Sequence, residues 1–119
     1  MVYSVVGVTL WTQDLDRLKV FYRDILQIPL HSDHGDFVAF VFGDIRLNLG
    51  LHSQVQGQAK DPYRIMVHLG TKDIHSLHEK LQAQGVEFIR PPEQENWGGW
   101  VATFKDPDGN ILQLLELVT

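Results

Sequence analysis

The chain has 119 residues, of which 44% are hydrophobic and 21% charged, with a formal net charge of −5 and no cysteine. That balance is typical of a globular protein and excludes disulfides, thiolate catalysis and cysteine metal sites. With no basic block, nucleic acid is not an expected partner.

The length suits one domain, 1–119, in which roughly two thirds of the unfolded surface can be buried. The start, Met1-Val2-Tyr3-Ser4, has neither a basic n-region nor a long apolar run. The expectations are no signal peptide, no membrane partner and a cytoplasmic location.

Val5 to Thr12 reads as a strand with Val6, Val8 and Leu10 on one face and Gly7, Thr9 and Trp11 on the other. Thr12 or Asp14 is the natural N-cap of a helix over Asp14–Leu26. Leu15, Leu18, Phe21, Tyr22, Ile25 and Leu26 form its apolar stripe, and Pro29 stops it. Leu30 to Asp36 is short and polar; its His31, Asp33, His34 and Asp36 read as a solvated edge and turn. Phe37–Phe42 is an unbroken apolar run, a buried strand. Gly43-Asp44 turns it back into Ile45–Leu51, where Ile45, Leu47, Leu49 and Leu51 alternate with Arg46, Asn48 and Gly50.

Residues 53–62, rich in Gln, Gly and Ser, form a linker between module one, 1–52, and module two, 63–119. Tyr63 to Gly70 alternates again, with Arg64, Met66 and His68 sharing a face. Asp73 caps a second helix carrying Ile74, Leu77 and Leu81, which Gly85 ends. His75 and His78 on that helix read as surface residues. Val86 to Ile89 is a short strand, Pro91-Pro92 its rigid exit, and Glu93 to Gly99 a polar loop carrying Trp97. The last hairpin runs from Trp100–Lys105 through Asp106-Pro107-Asp108-Gly109-Asn110 into Ile111–Val118. Pro107 presets φ there, and Gly109 and Asn110 tolerate φ > 0.

The chain thus repeats one plan, strand, helix, strand and hairpin, about every sixty residues. With Asp14-Leu15, Phe21-Tyr22, Ile25-Leu26 and the Asp106 to Asn110 turn, it resembles the vicinal oxygen chelate superfamily. That superfamily includes glyoxalase I, bleomycin-resistance proteins and extradiol dioxygenases. The resemblance implies an α+β fold of two tandem β-α-β-β-β modules, forming a cup-shaped mixed sheet with helices outside. It also implies a homodimer.

The metal enzymes of the superfamily hold a divalent ion with four cup-facing side chains. Carried onto this chain, those positions hold Gly7, Asn48 or Arg46, Met66 (or His68 if the register slips by two) and Gln113. A glycine, a thioether and an amide, with no carboxylate, are poor ligands for such an ion. The expectation is no metal, no cofactor and no catalytic residue. What remains is a binding surface of Thr9, Trp11, Asn48, Arg64, His68, Trp97, Trp100 and Gln113. Aromatic walls with a few polar anchors suit a flat organic molecule. The function that follows is metal-independent binding of an aromatic, cationic or antibiotic-like small-molecule ligand, as in the bleomycin-resistance branch. Two alternatives stay open: a glyoxalase-like lyase or isomerase, or dioxygenase-related enzyme, with a divergent site around His68 and Gln113, and a non-catalytic interaction module whose cup is closed by Met66, Leu115 and the tryptophans.

Overall fold

Each helix starts from the same three-residue device. In Thr12-Gln13-Asp14 the Asp14 N–H donates to Thr12 Oγ1 at 3.1 Å, and Asp14 Oδ1 accepts from Arg17 N at 3.2 Å. In Thr71-Lys72-Asp73 the same pair of bonds recurs, Asp73 N to Thr71 Oγ1 at 3.3 Å and Ser76 N to Asp73 Oδ1 at 3.1 Å. Both aspartates satisfy an N–H that the first helical turn leaves without a partner. The computed structural model of the protein describes residues 1–118.

Its elements, in order, are β1 Gly7–Thr12, α1 Leu15–Val20, β2 Leu30–Asp33, β3 Phe37–Phe42, β4 Ile45–Leu51, β5 Val67–Gly70, α2 Ile74–Ala83, β6 Phe88–Gln94, β7 Trp100–Lys105 and β8 Ile111–Glu116. They form two four-stranded mixed sheets, ordered β1-β4-β3-β2 and β5-β8-β7-β6. The outer pairs β1/β4 and β5/β8 are parallel and the rest antiparallel. This is an α+β fold of two β-α-β-β-β modules. Residues 1–57 and 58–119 are two compact units. The boundary falls inside the linker: Gly57 N donates to Gln13 Oε1 of module one, and Ala59 N to Asp108 O of module two.

In module one Leu15, Leu18, Val38, Phe40, Leu47 and Leu49 are buried together. In module two Ile74, Leu81, Ala102, Phe104, Leu112 and Leu114 are buried in the corresponding core. Alternation along each strand turns these residues toward the helix and leaves the opposite face to a mixed set, with Thr9, Asn48, Trp11 and Phe37 in module one and His68, Gln113, Val101 and Leu115 in module two.

Several expected boundaries moved, among them the end of the last strand, at Glu116 instead of Val118. The first helix turns π-helical over Phe21–Ile25, where Leu26 N reaches back to Phe21 O at 2.9 Å. The wider turn accommodates two adjacent aromatic rings, Phe21 and Tyr22, both buried and edge-on to each other at 5.3 Å. Strand β1 begins at Gly7, leaving Val5 and Val6 exposed. Strand β5 begins at Val67, so Tyr63 to Met66 lie outside it. Strand β6 runs through Pro91-Pro92 instead of ending there. It lies at the sheet edge, and its register shifts between Arg90 and Glu93, which removes any need for a proline N–H. In the β7–β8 turn only Gly109 takes a left-handed φ, of 77°.

Candidate functional site

The face of each sheet turned away from its own helix carries one cross-strand row. In module one the register aligns Thr9, Asn48, Ala39 and Ser32 across β1, β4, β3 and β2. In module two it aligns His68, Gln113, Thr103 and Arg90 across β5, β8, β7 and β6. Both rows follow from the period of two in a pleated strand.

Asn48 is half-buried in the middle of the first row. Its Nδ2 donates weakly to Thr9 Oγ1 at 3.4 Å. Its Oδ1 is fully buried and has no hydrogen-bond partner among the described residues. An unpaired buried carbonyl oxygen of this kind costs about 1–3 kcal/mol. Two residues along β4, Gly50 sits under two rings. A Cβ on Gly50 would lie 2.6 Å from the Trp11 ring and 2.8 Å from the Phe37 ring. Trp11 and Phe37, strand neighbours of Gly50 on either side, therefore lean over its bare backbone with their centroids 5.9 Å apart. His52 meets Trp11 edge-on at 5.3 Å. About 44% of Trp11 stays exposed.

In module two Arg90 is held by two carboxylates. Its Nε donates to Glu93 and its Nη2 to Glu95, the latter at 2.8 Å. These bonds, Glu93 first, raise the guanidinium above its ordinary value. Glu93 pairs with Val101 and so lies on the same face as Thr103 and Gln113. Sequence reasoning put Glu93 in a loop and overlooked Arg90. The strand passes through two prolines and a register shift, and no local pattern signals that. Glu93 thus adds a carboxylate to this face.

Five of the eight expected residues fall into two groups, and three lie elsewhere. Thr9, Trp11 and Asn48 share the open face of module one. His68 stands opposite Gln113 on that of module two. Arg64 lies outside β5 and is paired with Asp61 at 2.8 Å, with 75% of its side chain exposed. Trp97 folds over the backbone of Gly99, where an added Cβ would stand 1.8 Å from its ring. Trp100 faces the helix: its ring meets His75 of α2 edge-on at 4.6 Å. Strand parity carries that signal, because Trp100 and Ala102 alternate with Val101 and Thr103. Glu116, of the same parity as Trp100, accepts from Ile74 N at 2.9 Å and so supplements the cap of α2. His78, on the same helix, meets Phe88 edge-on at 4.5 Å, and its Nε2 has no partner among the described residues. His75 is exposed, as expected of a surface residue, and rests on the Trp100 ring, whereas His78 is half-buried against Phe88.

The positions that would hold a divalent metal do not fit one. A Cβ on Gly7 would lie 3.0 Å from Arg46 O, so any ligand side chain there requires β4 to give way. Arg46 is its strand neighbour and would repel a cation. The His68 and Gln113 pair supplies one imidazole and one amide. Among the described residues no group of three or more His, Asp or Glu lies close enough to hold an ion.

A family model described as Glyoxalase/Bleomycin resistance protein/Dioxygenase superfamily matches residues 4–114. The uncharacterized protein YetH of Bacillus subtilis is 24% identical over 98% of this chain and 100% of its own length. A protein of unknown function from Agrobacterium tumefaciens has a solved structure with a TM-score of 0.80 and 26% identity, covering 99% of this chain and 97% of that one. A member of the same superfamily from Sphaerobacter thermophilus aligns with a TM-score of 0.75 at 27% identity, covering 98% of each chain.

Proposed function

This chain belongs to the glyoxalase/bleomycin resistance protein/dioxygenase superfamily, and from that premise we propose that it is a metal-independent binder of a flat small molecule. Binding rests on the open face of module one, where Asn48 and Thr9 supply polar anchors and Trp11 and Phe37 an aromatic wall. The observation that carries this reading is Asn48 Oδ1, a buried acceptor with no partner among the described residues, which a ligand N–H would reach once the side chains around it part. Gly50 supports it by letting both rings tilt inward beside that acceptor. A flat aromatic compound bearing an N–H group satisfies both features at once. The protein then works by sequestration, as a homodimer in the cytoplasm, and performs no chemistry.

Tryptophan fluorescence titrated with a panel of aromatic amines, aromatic amides and flat antibiotics tests the reading. Quenching is expected from the wild type and from Trp97→Phe, and not from Trp11→Phe. Asn48→Leu is expected to weaken binding at least tenfold, the cost of one hydrogen bond to a buried acceptor. The same variant is expected to be as stable as wild type or about 1 kcal/mol more stable, because an unsatisfied polar group is replaced by an apolar one of similar shape. No response to any member of the panel would remove the binder reading.

A second reading has its own observation. His68 beside Gln113, with Glu93 on the same face, gives module two the groups for proton transfer, as a divergent lyase or isomerase requires. Metal analysis of the purified protein separates the two, since stoichiometric nickel, zinc, manganese or iron would favour the enzyme.

A further inference from the structure

Beyond the open face, module one has a solvent-open cavity of about 400 Å³ where β1 and β4 end side by side. Thr12, Gln13, Leu51, His52, Ser53, Val55 and Gln56 line it. A volume of this order suits a small organic molecule. The local hydrogen bonds decide what kind. Gln13 Oε1 accepts from the backbone N–H of Gly57. His52 Nδ1 accepts from the backbone N–H of Gln54 at 3.1 Å. Thr12 Oγ1 accepts from Asp14 N at 3.1 Å. Because each partner is an N–H, the accepting atoms are fixed by chemistry: an amide oxygen, and a ring nitrogen without a proton. The neutral imidazole therefore carries its proton on Nε2, and Gln13 presents its remaining Nε2 hydrogens.

The backbone thus takes up one acceptor from each of these two side chains and leaves two donors, with Leu51 and Val55 as apolar lining. We propose that this cavity is a second binding site, which takes a small organic carboxylate. The carboxylate oxygens accept from Gln13 Nε2 and His52 Nε2, and the apolar body lies against Leu51 and Val55. Fixed donors that need not turn away from other partners are what an acceptor-only group requires. The parallel pair supports the placement, because adjacent parallel strands open their loops at the same, carboxyl, end. Here those loops are the Thr12–Asp14 cap and the start of the linker. The site lies at the strand ends, apart from Asn48 itself, although the His52 ring also touches Trp11 of the Asn48 face.

NMR titration of the full chain with benzoate and with benzylamine, molecules of similar size and opposite polarity, tests it. Benzoate is expected to shift the backbone amides of Gln54 and Gly57 and the His52 ring, and to leave the Asn48 side-chain amide unmoved. Benzylamine is expected to shift none of them. Gln13→Glu replaces a donor by an acceptor of the same shape and should weaken benzoate at least tenfold. Should that variant not fold, Ser53→Asp places a carboxylate at an exposed lining position and should weaken benzoate in the same way. Equal response to benzylamine, benzoate shifts confined to residues elsewhere, undiminished binding by the folded variants, or no response to either molecule would each overturn the proposal.

Discussion

The two modules share a backbone plan and differ in where they put bulk on the open face. In module one the middle strand carries Gly50, and its neighbours carry Trp11 and Phe37. In module two the corresponding middle residue is Leu115, and its neighbours are Gly70 and Val101. The same three-strand width is filled from the flanks in one module and from the centre in the other. The rows beside them diverge in step, with Thr9 and Asn48 answering to His68 and Gln113. The helix-facing cores keep corresponding residues such as Phe40 and Phe104, each fully buried and each paired with a leucine, Leu47 or Leu112. The helix-facing side is thus alike in the two modules, and the opposite side differs.

That correspondence can be broken at several strengths. The largest effect is expected in the cores. Phe40→Ala and Phe104→Ala should each cost about 4 kcal/mol in urea unfolding. A difference of about 2 kcal/mol or more between them would show that the two cores are not equivalent.

Next come the hairpin turns, where the modules differ most. Asp106 is 5% exposed, and its carboxylate accepts from Asp108 N, Asn110 N and Asn110 Nδ2 at 2.8–3.0 Å. Asp44, in the corresponding turn of module one, is exposed. Asp106→Ala is expected to cost about 3 kcal/mol by leaving buried donors unsatisfied. Asp44→Ala should change stability by less than about 0.5 kcal/mol.

The two open-face glycines give a smaller contrast. Gly50→Ala drives a methyl into the Trp11 and Phe37 rings and should cost about 2 kcal/mol. Gly70→Ala meets nothing within 4 Å and should lie within about 0.5 kcal/mol of wild type. Equal costs would mean that the rings do not depend on a bare backbone at residue 50.

The smallest effect sharpens the comparison through pH. Asp33 on β2 is held below its ordinary value of 3.8, first by the Gly35 N–H and then by Lys19. A carboxylate with a lowered folded value contributes stability above its unfolded value, and that contribution is lost as pH falls through the folded value. Thermal unfolding should show Asp33→Asn less stable than wild type at neutral pH, with the gap closing below about pH 3.8. The group is well exposed, so the gap is expected to be small.

What was legible in the chain was local. The Asp106 to Asn110 turn could be read because Pro107 and Gly109 limit their own backbone. Both helix starts could be read because an aspartate cap acts within three residues. The apolar alternation of β4 pointed to a core face of Ile45, Leu47, Leu49 and Leu51, of which Leu47 and Leu49 are buried while Ile45 and Leu51, at the strand ends, are exposed, and the repeat itself disclosed the two modules. The π turn at Phe21 was not legible, since the same stripe of apolar residues suits an α-helix equally well. Nor was the extent of β6, because two prolines read as a stop unless the strand lies at an edge.

The sequence by itself determined the repeat, the caps, the turn and the identity of the side chains at the ends of each row. Only the tertiary structure decided which of them meet. Arg90 and Glu93 reach the row beside Thr103 through a register shift that depends on the neighbouring strand. Asn48 Oδ1 is buried without a partner among the described residues, on a strand paired with β1 and β3. Local preferences act through a residue's own backbone, whereas a cross-strand row exists only after distant segments have paired. Its chemistry therefore cannot be read along the chain.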